Sequence, residues 1–144
     1  MEAWCKIKFD EAYLDGSNPL ANAHHLYMND EEVKDLTIPE TITNLNKGAF
    51  YCASGLTSVT FPNSMKSITE YAFFGCSGLT SITLPENVTT IGTCCFYNCE
   101  SLKQVRMKAK TRASMRVTLL GMSIETNPLQ KLNALNIDNQ RFVL

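Results

Sequence analysis

The sequence predicts an α/β repeat solenoid, a right-handed coil with one stack of parallel strands and a small helix-hairpin cap at its N-terminal end. Three observations point there. Residues 33–101 divide into three segments of 23 residues that start at Val33, Leu56 and Leu79. Apolar residues recur at the same places in every segment. A proline follows each apolar run, at Pro39, Pro62 and Pro85. Self-similarity at a fixed period marks stacked repeats, because one unit is too small to bury its own apolar face and needs its neighbours to complete the core.

The first part of each segment reads as a strand. Val33, Leu56, Leu79 and Leu102 form one apolar column. Leu36, Val59, Ile82 and Val105 form a second, and Ile38, Phe61, Leu84 and Met107 a third. The resulting apolar-x-x-apolar-x-apolar spelling is the strand signature of a leucine-rich repeat. Alternation over its last three places gives one buried and one exposed face. Parallel strands are therefore expected near residues 36–38, 59–61, 82–84 and 105–107. The prolines close them, since proline has no N–H to give to a ladder. A fourth copy opens at Leu102 and then loses the pattern.

The rest of each segment is the return path. Ile42, Met65 and Val88 pair with Leu45, Ile68 and Ile91 at a spacing of three. Then come Ala49 and Phe50, Ala72 and Phe73, and Cys95 and Phe96. A small residue beside a phenylalanine lets the ring fill the centre while the backbone packs close. Ala53, Cys76 and Cys99 form a last small column. All of these belong in an interior stack.

These columns, with the phrases SGLTSVTFP, SGLTSITLPENVTTIG and AFFGC, resemble the BspA-like leucine-rich repeats over residues 33–107. The preceding EAWCKIKFD and SNPLANAHHLYMNDEEVKDLTIP are similar to the segment that opens or interrupts such arrays in gut Bacteroides-type proteins. That segment commonly carries an Asn-Gly turn where this chain has Asn29 and Asp30. Residues 108–126 depart from the pattern. The resemblance implies a bacterial cell-surface or secreted parent protein that binds proteins or host matrix, and it implies no shared catalytic site.

Open ends of a solenoid need caps. Residues 1–32 read as the N-terminal cap, 33–107 as the repeats and 108–144 as a diverged C-terminal part. Asn18 is an N-cap candidate followed by Pro19 in the first turn, so a short helix is expected over 19–25. Leu26, Tyr27 and Met28 read as a strand, and Asn29 with Asp30 as a turn. Trp4, Ile7 and Phe9 are expected to cover the first repeat. Near the other end, Asn127, Pro128 and Leu129 echo Asn18, Pro19 and Leu20. A second cap-like module is expected there, as in one segment of a longer array.

Composition bounds the function. The chain has 144 residues, 44% of them hydrophobic, and a net charge of −1. One domain is expected, with no general attraction to nucleic acid or anionic membrane. No run approaches the ~18 apolar residues of a membrane span. The start of the chain lacks a readable signal peptide, so either the protein is intracellular or the chain is a fragment of something longer. Charge is segregated: residues 1–40 hold nine acids and three bases, and residues 41–144 hold five acids and ten bases. Head-to-tail self-association follows as an expectation, against the plainer reading of a solvated face.

Catalytic chemistry is weakly represented. His24 and His25 are adjacent on the expected cap helix, where neighbours point in different directions. No nucleophile constellation accompanies them, so no enzyme is expected. Cys94, Cys95 and Cys99 could suggest a metal, but two fall in interior columns and read as small hydrophobes. Neither metal nor cofactor is expected. A Cys76 to Cys99 disulfide has the right strand spacing. In-register side chains suit its torsion poorly, so buried thiols are preferred. Asn87, Val88 and Thr89 form a glycosylation sequon, of no consequence in a bacterial protein.

Two surfaces remain as binding candidates. The strand face presents Asp35, Thr37, Ser58, Thr60, Ser81, Thr83, Gln104 and Arg106. It lacks aromatic anchors, and a solvated hydroxyl ladder is the plain reading. Tyr51, Phe74 and Tyr97 follow the core phenylalanines and should point away from the centre. They are either a contact strip or three rings lying flat, half-buried, on neighbouring repeats. The function expected is a non-catalytic protein-binding or adhesion module, with a structural spacer in a longer array as the alternative.

Overall fold

The computed structural model describes residues 1–7, 9 and 18–107. Two short helices, α1 (Glu2–Cys5) and α2 (Leu20–Ala23), precede a hairpin of β1 (Tyr27–Met28) and β2 (Glu31–Glu32). The repeats supply β3 (Asp35–Thr37), β4 (Asn44–Leu45), β5 (Ser58–Thr60), β6 (Ser67–Ile68), β7 (Ser81–Leu84), β8 (Thr90–Ile91) and β9 (Gln104–Met107).

The strand columns stack as expected. One sheet has the order β3-β5-β7-β9, all parallel. Its register joins Leu36 to Val59, Val59 to Ile82 and Ile82 to Val105, each 23 residues on. Leu36, Val59 and Ile82 are buried, while Thr37, Thr60 and Thr83 between the apolar columns are exposed. The prolines stand just after the strands, where a missing donor breaks no pairing.

A second parallel sheet, β4-β6-β8, lies on the return path. It joins Leu45 to Ile68 and Ile68 to Ile91. The spacing-of-three pairs mark its position, but their pattern does not announce strands. The turns beyond it also bond across repeats: Phe50 N–H donates to Ala72 O at 2.8 Å and Phe73 N–H to Cys95 O at 2.9 Å. Backbone groups thus find partners between repeats on several sides of the coil, as buried amides must.

Two left-handed columns shape these turns. Gly48, Tyr71 and Cys94 have φ of 64°, 56° and 53°, and Cys52, Gly75 and Asn98 have 59°, 71° and 57°. Each column keeps the 23-residue period. Glycine suits such positions, and tyrosine or cysteine there is held against its own preference by the repeat around it.

Phe50, Phe73 and Phe96 run through the centre, all buried. Phe73 stacks on Phe50 at 5.3 Å and on Phe96 at 5.6 Å between ring centroids, with Phe61 edge-on at 5.7 Å. Cys76, Cys95 and Cys99 are buried too. The Cys76 thiol donates to Phe50 O and the Cys99 thiol to Phe73 O, each at 3.2 Å. Cys52 and Cys94 are half-buried, and all six cysteines are unbridged in the structure.

Burial pushes the Cys76 and Cys95 thiols well above their ordinary range. In the folded chain they stay protonated while in the unfolded chain they ionise above about pH 9. Folding stability is therefore fully present below that pH and falls as pH rises through it, by about 1.4 kcal/mol per pH unit for each thiol so held. Denaturant titrations at rising pH should show that decline. Thiol labelling of native protein should be slow at Cys76, Cys95 and Cys99 and complete after denaturation. Rapid native labelling of all three contradicts the buried assignment.

The N-terminal elements differ in detail from expectation. The expected helix over 19–25 is shorter, since His24 takes a left-handed φ of 62° and ends α2. His24 and His25 therefore lie beyond the helix rather than on it. The Asn18 Oδ1 accepts from Leu20 N–H at 2.9 Å, and its Nδ2 donates to Gly48 O at 2.6 Å. Asn29 and Asp30 turn the hairpin, both at positive φ, as a two-residue hairpin loop requires. Trp4 is half-buried and its Nε1 donates to Ala49 O at 2.7 Å. Phe9 is buried and packs 5.8 Å from Trp4. Ile7 was expected to join them and is 42% exposed instead. It comes just after Lys6, which ends α1, and its carbonyl accepts from Asn46 Nδ2 at 3.2 Å. The Asn127 echo and the expected second cap lie outside the described residues.

Candidate binding surfaces

The aromatic edge is built by one turn used three times. Tyr51 N–H donates to Gly48 O, Phe74 N–H to Tyr71 O and Tyr97 N–H to Cys94 O, at 3.0 to 3.2 Å. Each turn sends the phenylalanine inward and the next ring out to the edge. Tyr51 lies 4.8 Å from Phe74 with planes 5° apart, and Phe74 lies 5.2 Å from Tyr97 with planes 15° apart. All three are half-buried. The rings therefore face one another and turn their edges outward. Of the two sequence readings, rings flat on neighbouring repeats describes the geometry, and a continuous strip is the result.

Tyr71 and Lys47 extend this edge, and the sequence reading passed over both. Tyr71 is tilted against Phe74 at 5.9 Å, and Lys47 Nζ stands 5.9 Å from the Tyr71 ring centre. Lys47 also approaches Glu70 at 3.9 Å. The signal for Tyr71 is its place in the left-handed column, where a bulky residue is unusual. Burial raises the Tyr51 hydroxyl above its ordinary range, with neighbouring Cys52 adding to the shift.

The strand face is different in kind. Thr60, Thr83 and Arg106 are exposed, while Ser58 and Ser81 are half-buried. Ser58 donates to the Asp35 carboxylate at 2.6 Å, and Thr57 reaches Lys34 O at 3.2 Å and the same carboxylate at 3.3 Å. Thr80 repeats the Thr57 contact one turn on, at 3.3 Å to Thr57 O. Several hydroxyls on and beside this ladder are thus engaged within the protein. Among the described residues, no group of three or more His, Cys, Asp or Glu side chains could hold a metal ion. No described helix is long and apolar enough to cross a membrane.

A 23-residue period, a parallel ladder on one side and a ring column inside define a leucine-rich-repeat solenoid. The family described as BspA type leucine rich repeat region matches residues 23–142 in 6 copies, and the chain belongs to that family. The match is wider than the 33–107 read from the residues. Two solved structures are similar to it. One is a leucine-rich repeat protein from Eubacterium ventriosum, 30% identical, with a TM-score of 0.53 over 58% of this chain and 23% of that one. The other is a leucine rich cell surface protein from Faecalibacterium prausnitzii, 37% identical, with a TM-score of 0.52 over 58% of this chain and 21% of that one. The chain thus spans less than a quarter of either protein's length. No curated protein matches the sequence.

Proposed function

We propose that this chain is a non-catalytic protein-binding segment of a cell-surface or secreted leucine-rich-repeat protein. Residues 1–32 cap the array, and Tyr51, Phe74 and Tyr97 carry the contact with a protein or host-matrix ligand. The observation behind this reading is the aromatic strip, three half-exposed rings in one continuous stack. Tyrosine and other large aromatics supply contact area at low cost in side-chain entropy and are enriched where binding energy concentrates. Support for the location comes from the Faecalibacterium relative, which is described as a cell surface protein.

The engaged hydroxyls of the strand face favour a second reading, a spacer that presents other parts of a longer protein. A binding scan of the full chain against extracellular matrix proteins and glycans separates the two. On any ligand found, replacing Tyr51, Phe74 and Tyr97 together with serine should weaken binding by at least roughly tenfold. Thr60→Ala with Thr83→Ala should change it little. The reverse order moves the site to the strand face, and no binding across the scan favours the spacer.

A further inference from the structure

The aromatic strip offers a ligand ring edges rather than ring faces. Phe74 has Tyr51 against one face and Tyr97 against the other, with planes 5° and 15° from its own. Tyr71 tilts against it as well, at 5.9 Å. A sugar that stacks its C–H groups on an aromatic ring needs an open face. So does a cation, which is drawn to the negative face of the ring. Phe74 has no face left for either. Its edge carries the positive part of the ring quadrupole, as do the edges of the two tyrosines. The strip therefore suits a ligand rich in acceptor oxygens.

The main chain beside the rings is already committed. Cys52 N–H donates to Phe74 O at 2.6 Å, Gly75 N–H to Tyr97 O at 2.8 Å and Tyr71 N–H to Thr93 O at 3.1 Å. An added β-strand needs such groups free along an edge, so strand addition fits poorly here. A helix fits poorly too. Its carbonyls are spent on its own hydrogen bonds, and an amphipathic helix seeks a groove, whereas these stacked rings leave none between them. Polyproline II is the extended form whose carbonyls have no internal partner. Its repeat also matches the strip. One three-residue turn rises about 9.3 Å. Tyr51 and Tyr97 are two repeats apart, at about 10 Å from one another.

We infer that the strip binds a proline-rich segment in the polyproline II conformation, laid along the axis of the coil, with ligand residues one turn apart against Tyr51 and Tyr97 and the edge of Phe74 between them. The inference rests on the strip being the binding surface and names the ligand class it takes. The Tyr51 hydroxyl meets the Cys52 side chain, which leaves the Tyr97 hydroxyl as the donor to a ligand carbonyl. Proline holds the ligand in its bound form beforehand, so docking costs little conformational entropy.

Titrating the isotope-labelled full chain with decaproline, and following its backbone amide signals, tests this. The signals of Tyr51, Phe74 and Tyr97 should shift and saturate. A glycine-serine decapeptide and cellohexaose should leave them in place. Tyr97→Phe keeps the stack and removes one donor, and should weaken decaproline roughly two- to tenfold. Replacing Tyr51, Phe74 and Tyr97 together with serine should abolish the shifts. Should that variant unfold, Tyr97→Phe carries the test, because it leaves all three rings in place. Decaproline that leaves the three signals unmoved, that binds elsewhere, or that is matched by the glycine-serine peptide or cellohexaose would overturn the inference. If a matrix protein then still binds through these rings, the strip remains a binding surface for another ligand class. If no ligand uses them, the binding role falls as well.

Discussion

Replacing Phe73 with alanine will cost about 3–5 kcal/mol of folding stability. Its ring is fully buried, stacked on Phe50 and Phe96 and met edge-on by Phe61. The deletion removes the transfer free energy of the ring and leaves a cavity that its neighbours fill only in part. Main-chain bonds hold the site open, since Phe73 N–H is anchored to Cys95 O and Phe50 N–H to Ala72 O. The backbone therefore cannot collapse onto the void without breaking ladders between repeats. Denaturant unfolding should show the midpoint falling with little change in slope. A loss below about 1 kcal/mol would mean that the ring is not in the core.

Replacing Asn18 with alanine will cost about 1–3 kcal/mol. Asn18 is fully buried and makes two bonds, accepting from Leu20 N–H and donating to Gly48 O. One amide thus caps α2 and fastens it to the first repeat. Alanine leaves a buried donor and a buried acceptor without partners, and this penalty exceeds the net worth of the bonds themselves. Asn18→Asp separates the two roles. A carboxylate still accepts from Leu20 but cannot donate to Gly48 O, so most of the loss should remain. If aspartate restores wild-type stability, the helix cap matters and the tie to Gly48 does not.

Much of the repeat was legible because two periods coincide in it. Alternation within each strand and recurrence after 23 residues identify Leu36, Val59 and Ile82 as buried and Thr37, Thr60 and Thr83 as exposed. The core phenylalanines stand out for the same reason. The β4-β6-β8 sheet was not legible as strands: each is two residues long, too short for either a strand or a helix period. Those strands arise because stacking brings Leu45, Ile68 and Ile91 to ladder distance. α1 is a single turn whose four residues carry no period, and Ile7 beside it was misplaced for that reason. The aromatic edge was legible as a column, while the ring orientation depends on turns whose left-handed residues, Tyr71 and Cys94, have no such preference of their own.

The BspA-type family accounts for the repeat, and the proposed role of the aromatic strip rests on that scaffold. Its in-register stacking is what sets Tyr51, Phe74 and Tyr97 in one line. Nuclear Overhauser contacts in the isotope-labelled full chain test it most directly. Backbone contacts should join Leu36 to Val59, Val59 to Ile82 and Ile82 to Val105 in the parallel pattern, with Phe73 ring protons touching both Phe50 and Phe96. Close α-proton pairs of antiparallel strands, a register other than 23, or a Phe73 ring in contact with water would contradict the account.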